Sequence, residues 1–441
     1  MIAKQRTVQK KYTLRKFIGD IHLWLGIASG LILFIVCLTG TIYTFKDEIT
    51  RFLNREVYHV VPKAGQQLTP VDQLIAQISR ETKSRVTALT IPNNPQEAWT
   101  FATQPVKIKK ELAKKPRQDR KEGKSGEGKA GGHGRNRGTN YLVNPYTGEI
   151  QGTTQHASSQ FFLIMMQAHR WLLIEGGVGK MIVGVATLIF LILEISGLVL
   201  WAPAKWKQMK KWKMWKPGFT IKTSNWKRFN HDLHNTLGFY SFILLTIMAL
   251  TGLCWSFEWY RDGVSNVMGA KVFGGRNEKF PGSELKGQNR RSLEIADYIA
   301  LANAQLSYKG DVRISLPADE AASAVVYKNK TGFFAPAATD KVVIDQYSGE
   351  LIKVDRFGDK PLNERIVASI KPLHLGDIYG TFSKILYFIG CLIATSLPVT
   401  GTIIWINKLK KKSKKTSAKK NLDQPVEFKT RVRDMRIEIE E

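Results

Sequence analysis

Cysteine is nearly missing from this sequence, and it is wholly missing where it could build a site. The three present, Cys37, Cys254 and Cys391, all fall inside long apolar stretches and read as small packing residues. The long polar segments hold none, so no disulfide braces them and no cysteine-based zinc or iron–sulfur site can be assembled. No Cys-x-x-Cys-His occurs, which excludes covalent attachment of a c-type haem. A glycine-rich dinucleotide or flavin fingerprint is lacking too. Acidic residues are scarce, with 37 Asp and Glu against 66 Lys and Arg, a net charge of +29.

The sequence does have long apolar runs. Four of them, 23–45, 181–202, 236–258 and 384–406, reach the length of about 20 residues that a helix needs to cross a hydrocarbon core. The first run is too long for a cleaved signal peptide and no small-residue cleavage site follows it, so it reads as an uncleaved anchor. The excess of positive charge then finds its place. Residues 1–20 hold six Lys and Arg, 204–228 hold nine with no acid, and the tail from 407 opens KLKKKSKKTSAKK. Short basic segments beside spanning helices stay in the cytoplasm, which puts both termini there and the two long connections outside. Much of the net charge is thus an orientation signal and a match to anionic lipid headgroups, and a nucleic-acid partner is set aside. Trp201, Trp206, Trp212 and Trp215, among the lysines, read as an interfacial aromatic belt.

The sequence also repeats itself. HLWLG at 22–26 matches HNTLG at 234–238, and TGTIYTF at 39–45 matches TGLCWSF at 251–257, at one constant separation. SGLVLW at 196–201 resembles TGTIIW at 400–405, and YLVNPYTGEI at 141–150 parallels VVIDQYSGEL at 342–351. The expected fold is a membrane all-α four-helix bundle carrying two extracytoplasmic α+β domains, by internal duplication of helix–domain–helix. The expected boundaries are 1–45 for the cytoplasmic N-terminus and first helix, 46–165 for the first external domain, and 166–203 for an outer interfacial segment and second helix. They continue with a basic loop 204–233, the third helix 234–258 and a second external domain 259–370. An outer segment with the fourth helix, 371–406, and a basic tail, 407–441, complete the chain.

Within the external domains, 68–83 and 292–305 carry helical apolar spacing, the first behind a Thr-Pro entry signal. The stretches 86–92, 97–103, 141–145, 311–317, 322–328 and 341–346 read as strands. Residues 105–139 are rich in Lys and Gly with hardly an apolar side chain, the composition of a disordered insert. His133 falls there as a solvated histidine.

The other histidines sort by position. His22 and His234 open the first and third helices on the cytoplasmic side, while His169 and His374 precede the second and fourth on the outer side. That gives one histidine per helix and two at each face. Two neutral imidazoles facing each other across a bundle are what bis-histidine ligation of a b-type haem needs, so the pairing His22 with His234 and His169 with His374 predicts two haem b per chain. Gly26 and Gly238, one turn beyond His22 and His234, leave room for a flat macrocycle. Zinc or copper sites usually gather ligands close in sequence with carboxylate or thiolate help. The competing reading is four interfacial histidines bonded to backbone or lipid. His231, one turn before His234, is the alternative ligand, or a contact for a haem propionate or an electron donor. Arg170, beside His169, suits a propionate or a lipid headgroup, and Glu194 inside the second helix is either a proton relay or a paired structural group. His59 and His156 have no repeat partner and receive no role.

The H-x-x-x-G of two helices, the His-Arg-Trp-Leu-Leu before the second, the Leu-His-x-Gly before the fourth and the two Tyr-[Thr/Ser]-Gly-Glu turns together resemble the PepSY-associated transmembrane family of bacterial inner-membrane proteins, which includes ferrisiderophore reductases. The resemblance spans nearly the whole chain; the basic insert is not part of its usual pattern. It implies haem b, external PepSY-like domains, and electron transfer across the inner membrane to a ferric siderophore or another ferric chelate outside. The electron donor is unidentified, a quinol or a cytosolic reductase. Two rivals stand beside this ferric reductase: a non-enzymatic membrane anchor for PepSY-type domains that bind peptides or proteins, and a haem subunit linking the quinone pool to an external protein.

Overall fold

The computed structural model describes residues 12–105, 138–283 and 293–422. The basic insert expected over 105–139, with His133, lies outside the described residues except at its ends, and so do 1–11 and 423–441. Four of the described helices are long and apolar enough to cross a membrane: Leu14–Tyr43, Val178–Trp201, Trp226–Ser256 and Gly380–Lys411. A helix satisfies its backbone groups internally except at its ends, which is the condition for sitting in hydrocarbon. The first and third spans begin about nine residues earlier than their apolar runs, because Lys, Arg and their neighbours propagate a helix readily. Asn225 starts the third by accepting a hydrogen bond from the Lys227 amide at 2.9 Å.

The chain divides into two compact units. The first comprises Met1–Leu31, Ile192–Tyr240 and Ser396–Glu441. In it the Arg15 guanidinium donates to the carbonyls of Val199 and Leu200 at 3.0 and 2.5 Å, satisfying orphan acceptors at the end of the second span. Trp201 stacks on Phe239 with ring centres 3.7 Å apart, lies 5.1 Å from Trp215 and donates to the Gly218 carbonyl. Trp201 and Trp215 thus pin the basic connection to the third span, whereas Trp212 is exposed as a belt residue is. The Trp206 side chain lies outside the described residues.

The second unit comprises Ile32–Leu191 and Ser241–Thr395. Its strands β1 (Ser84–Ile91), β2 (Trp99–Pro105), β3 (Asn140–Val143), β4 (Ile150–Thr153), β5 (Gly310–Ser315), β6 (Ala324–Lys330), β7 (Thr339–Ile344) and β8 (Leu351–Asp355) form one antiparallel sheet. The order is β4-β3-β2-β1-β5-β6-β7-β8. The strands expected in two separate domains are joined where β1 pairs β5, with Leu89 opposite Ile314. Pairing removes two exposed edges that would otherwise invite aggregation. One core results: Leu74 and Ile78 from the helix Val71–Thr82 and Tyr298 and Ala302 from Ile295–Gln305 pack with Leu89, Phe101, Ile314 and Val326. Each fully buried Leu or Ile contributes roughly 1.5–3 kcal/mol. The turns before β4 and β8 explain the repeated Tyr-[Thr/Ser]-Gly-Glu. Asn144 and Asp345 side chains accept from the Tyr146 and Tyr347 amides, and Gly148 and Gly349 take φ of 77° and 74°.

Candidate functional site

Each of the four candidate histidines reaches a neighbouring helix. In the first unit, His22 sits two turns inside the first span, not at its mouth, because the helix starts at Leu14. His234 lies in a π-helical turn, Leu233–Leu237, a distortion that places one extra residue in the turn and recurs at functional sites. The His22 and His234 rings face each other with centres 6.3 Å apart, at 89°. His22 Nδ1 donates to Ser196 Oγ at 2.8 Å, and that hydroxyl donates onward to the Leu193 carbonyl at 3.1 Å. His234 Nδ1 donates to Thr400 Oγ1 at 2.9 Å, whose proton goes to the Ser396 carbonyl at 3.0 Å.

In the second unit, His169 and His374 lie on helices that precede the spans, Ala157–Trp171 and Leu362–Leu375. Both helices end in a left-handed residue, Leu172 at φ 55° and Gly376 at φ 84°, which turns the chain toward the span that follows. The ring centres are 6.2 Å apart at 57°. His169 Nδ1 donates to the Val36 carbonyl at 2.8 Å, and His374 Nδ1 to the Met248 carbonyl at 3.0 Å, with Thr251 Oγ1 at 3.2 Å. Burial holds the pKa of both rings below the usual imidazole range; for His374, burial and then the neighbouring His169 push it down to about 4. Both are therefore neutral near pH 7. A cavity of about 650 Å³ opens beside them, lined among others by Gly40, Gly252, Arg170 and Lys371.

The spacing of each pair would admit one metal ion between the two rings. With Nδ1 protonated and engaged, Nε2 keeps the lone pair that a metal needs, and none of the four Nε2 atoms makes a hydrogen bond among the described residues. A nitrogen–metal distance of about 2.0–2.1 Å on each side, plus about 1.1 Å from nitrogen to ring centre, gives centres about 6.3 Å apart for two rings on one metal. The observed separations are 6.3 and 6.2 Å. The volume beside the second pair falls within the range of about 300–1,000 Å³ typical of cofactor pockets. Among the described residues no group of three or more His, Cys, Asp or Glu could hold a bare ion.

One feature escaped the reading of the sequence. Each of the four candidate rings has its edge on a glycine that follows a Ser or Thr. A Cβ on Gly197 would stand 3.4 Å from His22 Cε1, on Gly401 3.3 Å from His234 Cε1, on Gly40 3.0 Å from His169 and on Gly252 2.9 Å from His374. The dipeptides Thr39-Gly40, Ser196-Gly197, Thr251-Gly252 and Thr400-Gly401 were visible within the repeated segments. Their role was not, because nothing in the sequence says which helix a histidine leans on. Gly26 and Gly238 instead face Leu193 and Leu397, each 3.8 Å from a built Cβ.

The remaining candidates disperse. His231 is away from the pair: its side chain is 56% exposed and its Nδ1 lies 3.3 Å from Asp232. Arg170 is exposed, lies over the Trp171 ring at 5.3 Å and reaches the cavity. Glu194 is half-buried on the second span and belongs to neither pair. His156 stands at the N-cap of the helix that carries His169, and the His59 backbone forms an isolated β-bridge with Glu97.

The family model for the PepSY-associated TM region matches residues 20–408. No curated protein matches the chain.

Proposed function

The chain belongs to the PepSY-associated transmembrane family, and on that premise we propose that it is a di-haem b oxidoreductase of the bacterial inner membrane that reduces a ferric chelate outside. One observation carries the reading: the histidines come as two facing pairs whose centres, 6.3 and 6.2 Å apart, leave the space of one metal with two imidazole ligands. His22 with His234 would hold one haem, and His169 with His374 the other. When bound, the haems supply one-electron redox chemistry, which the protein orients and tunes.

The chain's own groups have separable tasks. Ser196, Thr400 and the carbonyls of Val36 and Met248 fix each imidazole tautomer and ring direction. Arg170 and Lys371 give the cavity beside His169 and His374 cationic groups suited to carboxylate side chains of a cofactor. The basic flanks argue for cytoplasmic termini, which puts His22 and His234 toward an electron donor, a quinol or a cytosolic reductase, and His169 and His374 toward the external acceptor. The matching positions of the two halves argue for duplication of one helix–domain–helix unit, and a ferric siderophore is the acceptor class that this family resemblance favours.

The test is pyridine haemochrome analysis with a reduced-minus-oxidised spectrum on protein purified after expression with haem precursor. Two non-covalent b haems per chain are expected. Well-folded protein without haem would overturn the proposal and leave the peptide-binding reading of the external sheet.

A further inference from the structure

The eight-residue loop between β6 and β7, residues 331–338, presents two adjacent phenyl rings to the outside: Phe333 is 50% and Phe334 65% exposed. They join Phe382, in the first turn of the fourth span, with ring centres 4.8, 5.1 and 6.3 Å apart. The backbone fixes this arrangement. The Phe382 amide donates to the Phe333 carbonyl and the Ala337 amide to the Ile378 carbonyl, both at 3.0 Å, while Pro336 bridges Tyr379. Gly380 makes the approach feasible. It sits at φ 59°, and a Cβ there would stand 2.6 Å from the Gly332 carbonyl oxygen. A sheet hairpin is thus clamped onto the entry of a membrane span.

We infer that this loop is a lipid-facing anchor that seats the sheet in the headgroup–acyl boundary of the bilayer. A patch of three adjacent phenyl rings is more than scattered surface apolarity, and such patches mark membrane or partner contacts. Continuity decides for lipid. Phe382 belongs to a candidate span, and the exposed Ile385 and Leu386 that follow it on the same helix are side chains that acyl chains must cover. Phenyl rings held at that level by backbone hydrogen bonds enter the same layer, as apolar side chains of interfacial elements do. The anchor also bears on the candidate site, because the clamped residues 378–382 directly follow the turn after His374. The inference rests on the membrane spans and not on haem.

The test places a nitroxide at F334C in full-length protein with Cys37, Cys254 and Cys391 changed to Ala, reconstituted in nanodiscs. F382C serves as the lipid reference, and E320C, exposed at the opposite end of β6, as the water reference. Accessibility to oxygen well above that to a water-soluble nickel chelate, close to the F382C ratio, is the expected result. A ratio like that of E320C overturns the anchor. Protection from both relaxants overturns it as well, since it would mean that a second copy or a protein partner covers the loop. If removing the cysteines harms folding, an F334W difference spectrum in brominated against ordinary lipid decides. Quenching by at least about half supports the anchor, and equal emission sinks it.

Discussion

In the first unit the closest partner of each candidate ligand is a side-chain hydroxyl, Ser196 or Thr400, with the Leu193 or Leu397 carbonyl beside it, whereas in the second the closest partner is a main-chain carbonyl, Val36 or Met248. A carbonyl only accepts and is fixed by the helix that carries it. A hydroxyl must also place its own proton, here on a helix carbonyl, and can rotate. The firmer acceptor raises the basicity of the opposite ring nitrogen, so under the haem reading the second pair would favour ferric iron more than the first by this effect alone. The glycine contacts differ in the same sense: 2.9 and 3.0 Å in the second unit against 3.3 and 3.4 Å in the first. Two pairs of equal span have been built with different tolerances. The second depends on backbone placement, and the first on two replaceable hydroxyls.

The largest effect should come from removing a ligand. Under the haem reading, His374→Ala abolishes binding at the second pair and His234→Ala at the first, each lowering haem from two per chain to one. Haemochrome stoichiometry with a redox titration checks this. Either substitution removing both haems in folded protein would erase the distinction between the units.

Glycine substitutions should separate the units next. Gly252→Ala puts a methyl 2.9 Å from the His374 ring and Gly40→Ala one 3.0 Å from His169, in sites where the rings are held by carbonyls that cannot yield. Overpacking of this kind costs about 1–3 kcal/mol, outweighing the gain of at most about 1 kcal/mol for Ala over Gly in a helix. At Gly197 and Gly401 the contacts of 3.4 and 3.3 Å need only a small shift, so the two effects nearly cancel and the net lies within about 1 kcal/mol of zero. Thermal unfolding in detergent gives the ranking. Equal losses at all four glycines would mean that the second unit is no tighter than the first.

Much of this architecture was legible beforehand. Four long apolar runs announce the four spans because hydrocarbon leaves a chain no other option. Alternating residues such as VTALTIP announced the strands. The joining of β1 to β5 was not legible, since an antiparallel edge carries no signal for a partner 220 or so residues away until tertiary packing selects it. The four histidines were singled out by number and position, and their pairing by depth agrees with the rings that face each other. The acceptors were hidden for a simpler reason: two are backbone carbonyls, which have no sequence identity, and two are hydroxyls whose helix rotation the sequence does not state.

The hydroxyls give the next, smaller contrast. Ser196→Ala or Thr400→Ala strips the closest Nδ1 acceptor from His22 or His234 and leaves only the Leu193 or Leu397 carbonyl nearby. Loss of such a partner typically weakens metal affinity about 10–100-fold, and under the haem reading the midpoint potential at that pair should rise as the ligand becomes less basic. Thr251→Ala should do far less, because His374 keeps the Met248 carbonyl at 3.0 Å. Potentiometry and haem-transfer rates to apomyoglobin read both. If Thr251→Ala shifts the potential as far as Thr400→Ala does, the carbonyl is not the anchor.

The smallest effect should be that of His231→Ala, and its smallness bears directly on which histidine of the HDLH stretch belongs to the first pair. His231 and His234 are three residues apart, close enough on a regular helix for either to face His22. The turn Leu233–Leu237 is π-helical, however, and the extra residue carries His234 round to Thr400 and His22. His231 stays before that turn with its ring largely in solvent, its one polar contact a 3.3 Å approach to Asp232. Asp232 does not depend on it: its carboxylate also accepts from Arg228 Nε at 2.8 Å and from the Lys222 amide at 3.3 Å. Substitution of an exposed side chain with one long contact should change stability by no more than about 0.5 kcal/mol and, under the haem reading, leave both haem bands and their potentials untouched. Loss of the haem at the first pair in His231→Ala, with His234→Ala keeping it, would reverse the assignment and show that the π turn is not the feature that selects the ligand.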